Sequence, residues 1–119
     1  MLSTFSFSEN TIGFLITGQF NSATIDELQE IILERIESHG TINLFMEDDG
    51  IENFTLSAVM QEIYFKHKNS TNIDKIAIVS DHKWMSICVT FENLFLSSRV
   101  KHFTIENRLN ALNWISRPD

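Results

Sequence analysis

Ile76-Ala77-Ile78-Val79 places four apolar residues in a row between Lys75 and Ser80. The run is too short for a helix and does not alternate, so it suits a strand covered on both faces, as in the middle of a largely parallel sheet. A chain with such a strand needs helices on its sheet.

The flanking segments supply them. Thr4 to Ser8 alternates, with Phe5 and Phe7 on one side, and Thr11 to Thr17 repeats the pattern with Ile12, Phe14 and Ile16. These read as two half-buried strands in a hairpin, the second ending at Gly18. Thr24 and Glu27 have capping-box spacing, and Ile25, Leu28, Ile32 and Ile36 share one helical face until Gly40 stops it. Thr41 to Met46 is expected as a strand running into an acidic loop, Glu47-Asp48-Asp49-Gly50. A second helix is expected over about Asn53 to Lys68, then the polar break Asn69 to Asn72 and the central strand Lys75 to Ser80. Asp81 can cap a third helix reaching about Ser97. Val100 to Phe103 is a short strand, and Thr104 can cap a last helix with Leu109, Leu112 and Ile115 inward. The order is β-β-α-β-α-β-α-β-α, and right-handed crossovers make the later strands parallel. The expected fold is α/β: an N-terminal β-hairpin, then alternating helices and strands, giving a mixed, mostly parallel five-stranded sheet with four helices.

With 119 residues, four Gly and one Pro, the chain is expected to form one domain over 1–119, without linker or repeat. No basic leader precedes an apolar run, and no apolar stretch is long enough to span a bilayer, so a cytoplasmic location is expected. The lone Cys88 cannot close an internal disulfide and reads as a small apolar residue. A formal charge of −7 argues against nucleic acid as a partner.

The chain resembles the SpoIIAA-like, or STAS, domains, and within them the stand-alone bacterial branch. The resemblance spans nearly the whole chain. It rests on Ile16-Thr17-Gly18, on Lys75-Ile76-Ala77-Ile78-Val79-Ser80-Asp81 leading to Trp84, and on Val100-Lys101-His102-Phe103 with Ala111, Trp114 and Ile115. These are packing residues, so they speak for fold before activity. The resemblance implies a regulatory domain, as in anti-sigma-factor antagonists or anion-transporter modules. The antagonists carry an Asp-Ser pair opening the second helix, whose Ser is phosphorylated; the corresponding stretch here is Glu52-Asn53-Phe54-Thr55-Leu56-Ser57, without that pair. Thr55 and Ser57 are the candidate phosphorylation sites, with helix capping as their alternative role.

Both middle helices carry more apolar surface than one buried face requires. Leu56, Val59, Met60 and Ile63 form the sheet-facing stripe of the second, which leaves Phe54, Ala58 and Phe65 on the other side. In the third, Met85, Val89 and Leu96 lie beyond the inner face of Ile87, Phe91, Leu94 and Phe95. Either these stripes close a seam between the two helices, or they form a surface for an apolar ligand, a membrane surface or a second copy in a homodimer.

Asp26, Glu27, Glu30, Glu34 and Glu37 cover the outside of the first helix as a solvated face. Glu47, Asp48, Asp49 and Glu52 gather after a central strand, where open α/β sheets often place ligands, but their spacing matches no calcium loop. His39, His67, His82 and His102 are dispersed without zinc spacing and read as surface or loop residues. Ser80, Asp81 and His82 share a strand end, yet the side chains of adjacent residues diverge. No phosphate loop, nucleophile elbow or paired-Cys motif is present. The sequence thus points to a non-enzymatic binding domain without metal or cofactor. It uses either the apolar surface of the middle helices, with peripheral membrane contact, or a regulatory surface for a protein partner.

Overall fold

The computed structural model describes residues 2–8, 10–54, 61, 65, 68–82 and 98–117. Five strands form one sheet in the order β1-β2-β3-β4-β5: β1 (Leu2–Ser8), β2 (Thr11–Phe20), β3 (Ile42–Phe54), β4 (Ile73–Val79) and β5 (Arg99–Phe103). The β1–β2 pair is antiparallel, and every later pair is parallel. Among the described residues two α-helices stand out, α1 (Ser22–His39) and the C-terminal α2 (Arg108–Ser116). Gln61, Phe65 and Lys68 are also helical. The expected second helix otherwise lies outside the described residues, as does the expected third.

Alternation in the strands divides the interior between the two sheet faces. Ile12, Phe14 and Ile16 of β2, Leu44 and Met46 of β3, and Ile76 and Ile78 of β4 pack with Ile25, Leu28 and Ile32 of α1. Phe45, Ala77 and Val79 point the other way and meet Ala111 and Ile115 of α2. The unbroken apolar run of β4 is explained by this division, because odd and even residues enter different cores. The β2–α1–β3 crossover and the C-terminal helix therefore cover opposite faces.

Several boundaries differ from the sequence reading. Helix α1 is capped by Asn21, whose Oδ1 accepts the Thr24 backbone N–H at 3.2 Å, while Thr24 Oγ1 donates to the Gln19 carbonyl at 3.0 Å. Thr24 is thus inside the first turn, and Gly40, at φ +82°, ends the helix with its N–H on the Ile36 carbonyl. Strand β2 continues past Gly18 to Phe20 through register shifts. Leu109, expected inward, is 73% exposed, and Ala111 and Ile115 hold the sheet instead. A 3₁₀ turn at Ile105–Asn107 follows Thr104, so α2 starts at Arg108, and at about 100° per residue Leu109 stands about 120° around the helix from Ile115, off the buried stripe. Thr104 makes no side-chain cap.

The largest departure is β3. The segment Glu47-Asp48-Asp49-Gly50 is strand, not loop, and pairing with β2 persists to Phe20↔Phe54. Phe54, expected to help open the second helix, accordingly lies at the end of this strand.

Candidate functional site

The added length of β3 carries two acidic residues into the interior. Successive strand residues face opposite sides of a sheet, so Glu47 and Asp48 are both buried but belong to different sites.

Asp48 Oδ1 accepts the N–H groups of Gly50 and Ile51 at 3.1 and 2.7 Å, which holds the irregular stretch of β3 in shape. Its Oδ2 lies 2.6 Å from His82 Nδ1 and accepts the Ser80 hydroxyl at 3.1 Å. Ser80 Oγ also accepts the His82 backbone N–H at 3.1 Å. His102 Nε2 donates to the Ser80 carbonyl at 2.7 Å, and Asp81 Oδ1 accepts the Ile105 N–H at 3.0 Å across the strand ends. These bonds tie the middle of β3 to the carboxyl-terminal ends of β4 and β5.

Asp, His and Ser in one cluster invite comparison with a nucleophilic triad, and the geometry differs from one. A triad uses opposite ring nitrogens, with the carboxylate on Nδ1 and the hydroxyl handing its proton to Nε2. Here Ser80 Oγ lies 3.3 Å from Nδ1, the same nitrogen that meets Asp48, and its proton goes to the carboxylate. Ser80 is also 0% exposed. The arrangement serves to pin strand ends together.

Glu47 faces α2. Arg108 Nε and Nη2 donate to its two oxygens at 2.7 and 2.6 Å, a bidentate tie between β3 and the start of the helix. Hydrogen bonding to Glu47 and its charge hold the Arg108 guanidinium above its ordinary pKa, against the opposition of burial and with a still smaller contribution from Asp49. A cleft of about 280 Å³ beside this pair is lined by Phe5, Leu15, Phe45 and Leu112. Glu47 and Asp48 diverge, so the acidic stretch does not converge on one point, and no group of metal-binding side chains forms among the described residues.

A second, larger trough of about 530 Å³ separates β5 from α2 and includes Lys101, Phe103, Asn110, Trp114 and Arg117. Behind it the buried Lys75 ammonium donates to the Trp114 and Arg117 carbonyls at 3.2 and 2.8 Å. It also lies 5.6 Å from the centre of the Trp114 ring. Lys101 approaches Trp114 as well, at 5.9 Å, and Phe103 at 5.4 Å.

The residues picked out in the sequence fall as follows. Phe65, expected on the outward side of the second helix, is 6% exposed and packs in the α1-side core. Ala58, Met85, Val89 and Leu96 lie outside the described residues, as do Thr55 and Ser57. His82 and His102, read as surface or loop residues, are partners in the strand-end network. Sequence reasoning found Ser80 and His82 at a strand end and Asp48 in an acidic cluster but did not join them, because Glu47-Asp48-Asp49-Gly50 reads as a loop. No local signal joins them, since only the β3–β4 register, with Glu47 opposite Val79, brings Asp48 beside Ser80.

The frame is thus a mixed five-stranded α/β sheet, antiparallel at β1–β2 and parallel beyond, with a part-buried polar network tying β3 to the end of β4. The family model described as SpoIIAA-like matches residues 11–116, and the chain belongs to that family. Among solved structures, an uncharacterised protein of the DUF3478 family with a SpoIIAA-like fold, from Shewanella loihica PV-4, is similar at TM-score 0.74 and 14% identity, covering 97% of this chain and 92% of that one. The anti-sigma factor antagonist SpoIIAA in its unphosphorylated form is similar at TM-score 0.60 and 8% identity over 98% and 100% of the two chains. The phosphorylated form of the Bacillus cell fate determinant SpoIIAA gives TM-score 0.60 and 8% identity over 92% and 97%. Comparison with curated proteins finds no match. At these identities the structural likeness concerns fold. No helix among the described residues is long and apolar enough to cross a membrane.

Proposed function

We propose that this chain is a non-enzymatic, cytoplasmic regulatory domain that binds a protein partner at the carboxyl-terminal edge of its parallel strands, next to the segment carrying Thr55 and Ser57. The observation behind this reading is the Asp48–Ser80–His82 network, which fixes that edge while burying its hydroxyl. A preformed edge lowers the ordering cost of docking. Likeness to an antagonist solved in phosphorylated and unphosphorylated forms supports the same reading. The test is capture of partners from an extract of the source organism by the tagged full chain, followed by titration of the purified partner. Phosphomimetic Thr55→Glu or Ser57→Glu should change its affinity by about tenfold through the added charge. No saturable partner, or identical affinities for all three proteins, removes the reading.

The rival use is an apolar ligand, a membrane surface or a second copy, held through Phe54, Ala58, Phe65, Met85, Val89 and Leu96. The second stripes on the middle helices favour it, while burial of Phe65 in the core weighs against it. Light scattering after size exclusion, with and without liposomes, decides between the two. A dimer or liposome co-elution that is lost in folded Met85→Glu would establish the apolar surface.

A further inference from the structure

We propose that the trough between β5 and the C-terminal helix is a docking site for an acidic, extended segment of a protein partner. This goes beyond the reading above, since Thr55, Ser57 and the middle helices take no part in it.

The first argument is charge. The chain carries a formal −7 overall, yet among the described residues no Asp or Glu lines this trough, whereas Lys101 and Arg117 both do. An acidic protein that reserves one groove for cations offers a local potential opposite to the rest of its surface, which steers and orients an acidic partner.

The second argument is the row of amides. Asn107, which closes the 3₁₀ turn before α2, and Asn110 and Asn113 of α2 recur every third residue along one exposed flank, a row about 9 Å long at ~1.5 Å per residue. The row is oriented from within: Asn107 Nδ2 donates to Thr104 Oγ1 at 2.9 Å, and Asn110 Nδ2 to Asn107 Oδ1 at 3.2 Å. Each carboxamide has two donor hydrogens and two acceptor sites, so it can also pair with a peptide group, which likewise offers one of each. An extended chain rises ~3.3 Å per residue, so the row matches about three residues of it. A small inorganic anion would use the cations and leave the amides idle. A peptide uses both, and Phe103 and Trp114 supply a half-buried apolar floor for a side chain between its acidic ones.

The test titrates the isotope-labelled full chain with an N-acetylated peptide of alternating Glu and Val, against a Lys-Val peptide and inorganic phosphate. The Glu peptide should shift the Trp114 indole and the Asn110 and Asn113 amide signals in a saturable way. Lys101→Glu with Arg117→Glu should weaken it about tenfold, the scale of two solvent-exposed charge contacts. Asn110→Ala, which changes no charge and touches no core, should weaken it by about threefold, the scale of one exposed hydrogen bond. Unmoved groove signals overturn the proposal. So does an equal response to the Lys peptide, reproduction of the full pattern by phosphate alone, or unchanged affinity in both folded variants. Thr55→Glu should leave this binding intact, so its loss and the loss of the phosphomimetic effect are separate results.

Discussion

Gly13 sits beneath the Phe5 ring so closely that a Cβ there would come within 2.2 Å of it. The ring in turn packs edge-on against Phe45 at 5.7 Å. Gly13→Ala should therefore displace Phe5 and cost about 1–3 kcal/mol in urea unfolding, the usual scale of overpacking. In a Phe5→Ala background the same change should cost much less, and a cycle without that coupling would mean the ring had other room. Lys75 is a residue of another kind, a cation buried to 2% exposure whose bonds end on helix carbonyls. Lys75→Met keeps the stem but leaves those carbonyls without it, and a loss of about 1–2 kcal/mol is expected once the relieved desolvation of the ammonium is counted. Full stability in this variant would show that water replaces the ammonium.

Between elements, the ties to β3 decide the architecture. Arg108→Ala would leave the Glu47 carboxylate in a closed site, and a loss of about 2 kcal/mol is expected, below the usual buried-pair figure because the Arg108 side chain is 47% exposed. Adding Glu47→Leu should return most of it, since the orphaned charge goes too. Asp48→Ala should loosen β3 at Gly50 and Ile51, seen as faster amide exchange there while β4 keeps its protection. The same ties explain what could be read in advance. Ile76 to Val79 declared a central strand, and Ile25, Leu28 and Ile32 a helix face, because burial of those residues depends on local periodicity alone. Glu47 and Asp48 did not declare a strand, because their partners stand 61 residues away at Arg108 and 32 and 34 residues away at Ser80 and His82. Leu109 misled for a different reason: it was grouped with Ile115, six residues on, although that spacing puts the two about 120° apart on a helix and only Ala111 and Ile115 are buried. The site was legible as residues, not as a constellation.

For the molecule as a whole, the reading based on a protein partner predicts that the chain alone elutes as a monomer and ignores liposomes; association with either would shift the weight to the apolar stripes. The strand order adds a feature that no single residue carries. Neighbours in space are neighbours in sequence from β1 to β5, and the order never turns back on itself. Sheets with a reversal open a crevice where the order turns. This one has none, which accords with strand ends closed by Asp48, Ser80 and His82. The order also matters during synthesis. As the chain leaves the ribosome, each new strand meets an edge already laid down, so pairing can follow translation without waiting for a later segment. The helix that follows β5, anchored by Arg108 at one end and Lys75 at the other, then closes over the second face of a sheet already formed.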